Sequence, residues 1–368
     1  TYGRAFSDYD SITPFDAPRR RRQCFRMSDT IIISAEELSS LTRQAFERAG
    51  FCEIDAEAAA EILVTTDLMG ISTHGVHRLD QYLKRVRAGM INPTPNIIAD
   101  DRAPALAILD GDDGQGQVVA ARALELAMSK ARANGIAYVA VKNSNHFGAT
   151  APYGFAASVA AMALMCGTSA SPAIAPFGGR DLKMGNNPFG FAAPRRSGAP
   201  FILDMAMSVA ARGKMRKLRD AGEAMPIGWA LDAAGNPTTD PAAGLDGFIQ
   251  FIGGHKGYGL SLMVEMLGGL MSGGRFLDDV GDMWAEKEPQ GVSHFFIVID
   301  PIRLMGAGDY YERMESFVSK VKSSAPFHEG GEVLIPGEME YRAIQERRET
   351  GIPLAAELLD TVKRLATA

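Results

Sequence analysis

Three side chains around residue 78 have the types and the spacing to reduce a carbonyl group that lies beside a carboxylate. His74, Arg78 and Tyr82 follow one another at intervals of four residues, so on a helix they would share one face. An imidazole can pass a proton near neutral pH, and a guanidinium can hold a carboxylate through two parallel hydrogen bonds. The alternative is a solvated helix face with an ordinary mixture of polar residues.

The stretch that carries these residues is predicted to form one helix. Ser72 or Thr73 can cap its N-terminus by accepting a hydrogen bond from a free backbone N–H of the first turn. Apolar positions continue to Val86, and Gly89 is a natural C-terminal stop. We therefore expect a single helix to position the three polar side chains.

The rest of the chain alternates short apolar strands with helices, a pattern typical of helices packed on a sheet. The predicted helices cover residues 34–50, 55–69, 118–133, 153–161, 205–211, 260–271, 311–324 and 355–365. The predicted strands cover residues 105–110, 137–141, 162–167, 189–194, 201–204, 293–300 and 332–338. These patterns predict an α/β protein in which residues 30–90 are a helical approach to the site.

Two further candidate groups follow predicted strands. His146 lies in an asparagine-flanked loop after one strand, and Asp204 ends another. Loops at strand ends often carry function. His146 could instead be a structural or solvated histidine. Asp204 could orient a histidine or a nicotinamide amide, or could simply be a helix N-cap.

The usual dinucleotide-binding motif is missing. The nearest phrase, residues 111–116, has the wrong glycine spacing and two carboxylates where a pyrophosphate would lie. The loop at residues 253–257 is better placed, because His255 and Lys256 stand beside the free N–H groups that open a helix, which favours phosphate. A simple loop-to-helix junction would have the same residues.

The composition excludes several classes of protein. A length of 368 residues predicts two packed lobes, and a net charge of −6 gives no general attraction to nucleic acid. No apolar run reaches the roughly 18–20 residues that cross a membrane. The three cysteines are too few and too widely spaced for a disulfide framework, which fits a cytoplasmic protein. The six histidines show no paired spacing for a metal ion.

The first 26 residues are polar and contain four consecutive arginines at residues 19–22. Met27 followed by Ser28 looks like a natural start. We expect residues 1–26 to be a disordered or non-native extension outside the fold. A nucleic-acid-binding arm is the alternative, although the protein as a whole is acidic.

Eight short segments together resemble one known family. They are GISTHGVHRL at 70–79, NSNHFG at 143–148, GNNP at 185–188, DMA at 204–206, GWALD at 228–232, PTTDP at 237–241, GGHKGYG at 253–259 and LIPGE at 334–338. In this order they resemble the type-2 malate/L-lactate dehydrogenase family, which includes sulfolactate and ureidoglycolate dehydrogenases. The similarity runs from about residue 33 to residue 354, nearly the whole chain after Met27.

The resemblance implies an NAD(P)-dependent oxidoreductase that interconverts small 2-oxo acids and 2-hydroxy acids. It also implies a homodimer and a mixed sheet flanked by helices, with a cofactor-binding domain that is not of the Rossmann type. On this basis residues 27–110 are expected to form a helical N-terminal region that packs with residues 325–368. Residues 111–324 are expected to form the cofactor-binding sheet domain.

The resemblance also assigns site residues. In some members the histidine that matches His74 acts as proton donor, supported by the hydroxyl that matches Thr73 and by the acid that matches Asp204. In other members the histidine that matches His146 has that role. Arg78 and Tyr82 would face the substrate. Cofactor contacts would fall on His146, Phe147, Gly148, Asn186, Asn187, Ile202, Leu203, Asp204, Met205, Ala206, His255, Lys256, Pro336, Gly337 and Glu338. Many relatives have serine where Thr73 stands, and threonine keeps the hydroxyl.

We therefore expect a hydride transfer between a nicotinamide cofactor, NAD or NADP, and a 2-oxo acid. Alternative activities on the same scaffold are reduction of a cyclic imine acid and oxidation of ureidoglycolate, sulfolactate or a sugar acid. A catalytically silent binding protein of this fold is the alternative outside enzymes.

Overall fold

The computed structural model describes residues 30–367. The predicted extension at residues 1–26 and Cys24 lie outside the described residues. The strands are β1 (Thr30–Ile33), β2 (Ile98–Ala103), β3 (Leu106–Asp110), β4 (Ile136–Ser144), β5 (Ala163–Thr168), β6 (Phe189–Ala193), β7 (Phe201–Met205), β8 (Ala230–Leu231), β9 (Pro237–Thr238), β10 (Phe248–Ile249), β11 (Val292–Ile299) and β12 (Ile352–Ala355).

The helices flank these strands and connect them. They are α1 (Ala35–Arg48), α2 (Glu53–Leu68), α3 (Leu79–Arg87), α4 (Gly116–Asn134), α5 (Ala151–Val159), α6 (Arg212–Asp220), α7 (Pro241–Asp246), α8 (His255–Glu265), α9 (Pro301–Met305), α10 (Ala307–Lys322), α11 (Glu338–Thr350) and α12 (Ala356–Thr367). A 3-10 turn at Val76–Arg78 precedes α3, and a π-helical segment at Met266–Leu270 extends α8.

The main sheet has the strand order β2-β3-β4-β11-β5-β6-β7. Strands β3 and β4 are parallel, and every other neighbouring pair in this sheet is antiparallel. It follows that β3, β4, β5 and β7 all run in one direction and end at the same edge. The predicted α/β class with a mixed sheet flanked by helices is confirmed.

Two apolar cores support this arrangement. The larger core lies between the main sheet and helices that include α1, α2, α4 and α12. The smaller core surrounds the three-stranded sheet β10-β8-β9 and is rich in methionine, with Met184, Met207, Met215 and Met225 all buried. Methionine adapts to irregular gaps, which suits a core built from short strands and turns.

The two ends of the described chain meet. Strand β1 pairs antiparallel with β12, and α1 packs against α12. Strands β2 and β3 fall within the predicted N-terminal region of residues 27–110, yet they pair with the main sheet. The division of the chain at residue 110 stays a prediction.

The predicted helix from Ser72 is wrong. Residues 72–75 form turns, the 3-10 turn follows, and α3 begins only at Leu79. No helix begins at Ser72 because the backbone N–H and the side-chain hydroxyl that would form its first turn have other hydrogen-bond partners. The N–H of Val76 donates to the buried carboxylate of Asp67, and the hydroxyl of Thr73 bonds the ring of His74 instead of capping.

Two other predicted elements are also wrong. Residues 205–211 are not helical, because Met207 and Val209 donate their N–H groups to Asn186 and Gln250 on neighbouring chain segments. Residues 332–338 are not a strand: they run as an irregular segment into a turn, and α11 begins at Glu338. The carboxylate of Glu338 accepts the N–H of Ile335 and so fixes this turn.

Candidate active site

The turn that carries His74 is held against α2 by a buried acid. The carboxylate of Asp67, which is 1% exposed, accepts a hydrogen bond of 2.8 Å from the N–H of Val76. Gly75 lies directly on this carboxylate, since a Cβ there would be 2.2 Å from Oδ1. Burial raises the pKa of Asp67 to about 7, against the opposing effects of the Val76 N–H and the charge of Arg347.

His74 leaves this turn beside Thr73 and Arg78. Its Nδ1 lies 2.9 Å from the hydroxyl of Thr73, and the Nε of Arg78 donates to the carbonyl of Thr73 at 2.8 Å. The ring of His74 stacks on that of His146, with 5.6 Å between centroids and 27° between planes. Two histidines that are 72 residues apart in the sequence therefore stack side by side.

His146 is positioned by a chain of buried polar groups. Its Nδ1 lies 2.7 Å from the hydroxyl of Tyr82, a residue that is 2% exposed. The side-chain N–H of Gln117 donates to the same hydroxyl at 3.2 Å, and Gln115 donates to Gln117. The backbone N–H of His146 donates to the Gln290 side chain at 2.9 Å.

These contacts favour one tautomer. Gln117 donates to the Tyr82 oxygen, and Nδ1 of His146 is the acceptor that the described residues place against the Tyr82 O–H. When this O–H donates to Nδ1, the proton of the neutral imidazole lies on Nε2. Burial raises the pKa of Tyr82 to about 12, so it stays a phenol. Burial and the charges of His74 and Arg78 hold the pKa of His146 well below its usual range.

His74 is also neutral at pH 7. Burial lowers its pKa to about 4, and the neighbouring charges of Arg78 and His77 act in the same direction. Its contact with the Thr73 hydroxyl accommodates either ring state, since that hydroxyl can donate to Nδ1 or accept from it.

A cavity of about 420 Å³ opens in front of the two histidines. Eleven of the predicted site residues line it: Thr73, His74, His146, Gly148, Asn186, Ile202, Leu203, Asp204, Ala206, Pro336 and Gly337. The turn at Pro336–Gly337 is pinned to β7, because the N–H of Ile202 donates to the carbonyl of Pro336 at 2.9 Å. A Cβ on Gly337, whose φ is +94°, would meet the backbone N of Ile202 at 2.9 Å.

Asp204 lies in the cavity wall at the start of α5. Its Oδ2 accepts hydrogen bonds of 3.1 Å from the N–H groups of Thr150 and Ala151. Burial raises the pKa of Asp204, and these hydrogen bonds oppose the shift. The carboxylate therefore pairs with free N–H groups at the start of α5 while it also faces the cavity. It is not the N-cap of a following helix, because residues 205–211 are not helical.

The profile of the malate/L-lactate dehydrogenase family matches residues 33–363. The chain belongs to this family. It is 37% identical over 342 residues to the malate dehydrogenase of Pyrococcus abyssi, covering 91% of this chain and 94% of that protein. Its role as an NAD(P)-dependent oxidoreductase of hydroxy and oxo acids, predicted from the resemblance, is confirmed.

Solved structures of family members have the same fold. The sulfolactate dehydrogenase of Methanocaldococcus jannaschii superposes with a TM-score of 0.85 at 36% identity, covering 91% of this chain and 96% of that one. The Δ1-piperideine-2-carboxylate reductase of Pseudomonas syringae pv. tomato superposes with a TM-score of 0.81 at 29% identity, covering 91% and 99%.

The predicted substrate residues lie beside the cavity rather than in its wall. Tyr82 points at His146 as described, and Arg78 lies next to Thr73 with its guanidinium 5.3 Å from the ring centre of Trp284. Their predicted contacts with substrate stay predictions.

Several predicted cofactor residues also lie outside the cavity wall. Phe147 is buried and stacks on His294 at 4.6 Å, with 9° between planes. Asn187 is buried and donates to Ser261 and Glu265. These side chains support the loops that carry their neighbours in the wall.

The remaining predicted cofactor residues are Met205, His255, Lys256 and Glu338. Met205 packs against the smaller core, whereas His255 and Lys256 are exposed at the start of α8. Burial raises the pKa of Glu338, but an ion pair with Lys322 at 2.7 Å and the Ile335 N–H bring it below its usual value.

Sequence reasoning missed a set of residues that line or support the cavity. Thr168 ends β5, Ser169 and Ala170 follow it, and all three lie in the wall. Their position after a buried strand is the same signal that identified His146. Asp67 and Gln290 act through contacts that no local pattern reveals.

Residues 30–367 contain no cluster of three or more side chains that could hold a metal ion. No helix in the same range is long and apolar enough to cross a membrane.

We expect Gly75→Ala to lower stability and activity together, because the new Cβ would collide with the carboxylate of Asp67. The free energy of unfolding should fall by about 1–3 kcal/mol. Displacement of His74 should reduce kcat/KM roughly 10–100-fold. Chemical denaturation and steady-state kinetics measure the two effects. The matched control is Gly308→Ala in α10, where the added Cβ has no neighbour within 4 Å. Equal behaviour of the two variants would contradict the proposed contact.

Proposed function

We propose that the chain catalyses hydride transfer between NADH or NADPH and a small 2-oxo acid of the malate or lactate type, and the reverse oxidation. The observation that carries this proposal is the stacked pair His74 and His146 on one wall of the cavity, with the guanidinium of Arg78 beside it. The two histidines can supply a proton and a hydrogen bond to the carbonyl oxygen of a substrate, while Arg78 binds the substrate carboxylate.

The cavity lining leaves room for a nicotinamide ring. Gly148, Ala149, Ala170, Ala206 and Gly337 contribute small side chains or none to this lining, which leaves space for a flat ring. The volume of about 420 Å³ falls in the usual range for small-molecule sites. A bound reduced nicotinamide would supply the hydride.

The two histidines have different proposed roles. His146 donates a hydrogen bond from Nε2 to the substrate oxygen, because the Tyr82 hydroxyl already occupies Nδ1. Charging His146 would leave the buried O–H of Tyr82 without an acceptor, at a cost of about 1–3 kcal/mol. His74 has no such restriction, since the Thr73 hydroxyl accepts as well as it donates. We therefore assign the proton transfer to His74.

Arg78 is the proposed carboxylate clamp. Its Nε is committed to the carbonyl of Thr73, which leaves the two terminal nitrogens for a carboxylate. Lysine could not replace this geometry, because an ammonium group is a point charge without a planar fork.

Reduction of a cyclic imine acid is the second candidate. The likeness to the piperideine-carboxylate reductase structure favours it. Such a substrate also places a carboxylate beside the carbon that receives the hydride, so the same clamp and proton donor would serve.

The decisive experiment is a substrate panel followed at 340 nm with NADH and with NADPH. Oxaloacetate, pyruvate, sulfopyruvate and a cyclic imine acid separate the candidate activities, and we expect the highest kcat/KM with an oxo acid. A higher kcat/KM with the imine would favour the second candidate function, reduction of a cyclic imine acid.

We expect His74→Ala to lower kcat by about 10²–10⁴-fold while the cofactor dissociation constant stays within twofold of the parent value. The reason is that the variant loses the proton donor but no cofactor contact. Stopped-flow single turnovers and fluorescence titration with NADH measure the two quantities. If His146→Ala lost the same activity while His74→Ala kept it, the roles would be exchanged.

The pH dependence follows from the lowered pKa of His74. A base with a pKa of about 4 stays neutral at higher pH, so kcat/KM for hydroxy-acid oxidation should be flat between about pH 8 and pH 5. Reduction needs the protonated ring, so its kcat/KM should rise about tenfold per unit as pH falls over that range. His74→Ala should lose this rise. An inflection near pH 6.5, the usual histidine value, would contradict the assignment.

We further propose a cytoplasmic homodimer. Cys52 and Cys166 are both free thiols, in keeping with a reducing compartment. Large apolar side chains are exposed on α8 and its π-helical extension, and they include Leu260, Met266 and Leu270. Sedimentation should give a dimer, and Leu270→Glu should shift it toward monomer, whereas Leu304→Glu on α9 serves as control. A monomeric parent protein would refute the assignment.

A further inference from the structure

Residues 281–290 form a closed loop next to the proposed substrate site. The N–H of Gly281 donates to the carbonyl of Gln290 at 2.8 Å, so the two ends of the loop meet. Within it, the N–H of Trp284 donates to the carboxylate of Asp282 at 3.0 Å. Compact loops of this kind, whose ends are close, frequently carry functional residues.

A buried arginine on α3 anchors this loop. Arg85 is 2% exposed, and its guanidinium donates to the backbone carbonyls of Asp282 and Glu288 at 3.3 Å, and also to those of Met283 and Ala285. Burial lowers the pKa of Arg85, and the acidic charges of the loop oppose this shift. Burying a guanidinium costs free energy. Here the hydrogen bonds of the buried Arg85 fix the backbone path of the loop.

The same loop reaches the proposed catalytic pair. The hydroxyl of Ser171 accepts the N–H of Met283 at 3.0 Å and the side-chain N–H of Gln290 at 3.1 Å. The carbonyl oxygen of the Gln290 side chain accepts the N–H of His146 at 2.9 Å. Hydrogen bonds therefore fix the position of the loop relative to both α3 and His146.

Trp284 is the residue that this loop presents. The residue is 58% exposed, and the guanidinium carbon of Arg78 lies 5.3 Å from its ring centre. Together with the hydrogen bond from Nε of Arg78 to Thr73, this contact gives the guanidinium a second partner that favours the observed orientation.

We propose that Trp284 is a substrate-positioning residue: the anchored loop holds its ring against Arg78, so that the terminal nitrogens are oriented for a substrate carboxylate before it binds. This role rests on the proposed function, because it assigns Arg78 to the carboxylate. Pre-orientation lowers the entropy lost on binding and acts on substrate affinity rather than on the chemical step.

The first test is a split between KM and kcat. Trp284→Ala should raise the KM for the oxo acid about two- to fivefold, the range expected for an exposed cation–π contact, with kcat and the KM for NAD(P)H unchanged. Trp284→Phe should recover part of the loss, since it keeps a ring. The control is Trp229→Phe, whose ring contacts Lys214. Unchanged KM in Trp284→Ala, or a loss confined to kcat, would overturn the proposal.

A double-mutant cycle shows whether Trp284 acts through Arg78. Arg78→Lys should raise KM by itself, and adding Trp284→Ala to it should raise KM less than Trp284→Ala does in the parent enzyme. Fully additive effects would show that the two side chains act independently and would contradict the positioning role.

Fluorescence separates this inference from the proposed function. Trp229→Phe leaves Trp284 as the single tryptophan of the chain. Oxamate, a stable 2-oxo acid analogue, should change its emission in the presence of NADH, and Arg78→Lys should weaken the apparent affinity. If the parent enzyme turned over none of the panel but this response remained, the reaction assignment alone would fail. Turnover without any emission change would instead refute the role of Trp284.

Discussion

The hydrogen bond from Val76 to the buried carboxylate of Asp67 is the contact on which the proposed site depends. It stops a helix from forming at Ser72 and turns the backbone so that His74 faces His146. Loss of the carboxylate would leave a buried N–H unpaired, at about 1–3 kcal/mol. Arg347 on α11 donates to the backbone carbonyl of Asp67, so the C-terminal part of the chain supports the same point.

The direction of the strands explains how distant residues reach one cavity. Strands β4, β5 and β7 run the same way in the main sheet, with antiparallel strands between them. Their carboxyl ends therefore lie at one edge, where His146, Ser169 and Asp204 enter the cavity wall. His74 reaches the cavity from the turn between α2 and α3. The cofactor and the substrate would thus meet between a rigid sheet edge and a turn held by a single buried acid.

Sequence reasoning succeeded where the signal is local. Buried strands followed by polar residues predicted that His146 and Asp204 lie at strand ends, where both line the cavity. The apolar runs predicted most strands of the main sheet within a few residues. It failed where a distant group decides the conformation. Asp67 lies nine residues before Val76 and belongs to another helix, so the capping pattern at Ser72 was misleading. Arg85 and the 281–290 loop are about 200 residues apart, and no periodicity links them.

Charge connects substrate binding to proton transfer in the proposed mechanism. Burial is the main cause of the low pKa of His74, and the positive charge of Arg78 is the second. A carboxylate bound to Arg78 would cancel the second effect and add a negative charge near the ring, so the pKa of His74 would rise. We infer that binding of the substrate carboxylate promotes protonation of His74, because the pKa of His74 rises when the substrate is in place. A positive charge on His74 would lower the pKa of His146 further, so His146, held by Tyr82, stays neutral and keeps the substrate oxygen oriented.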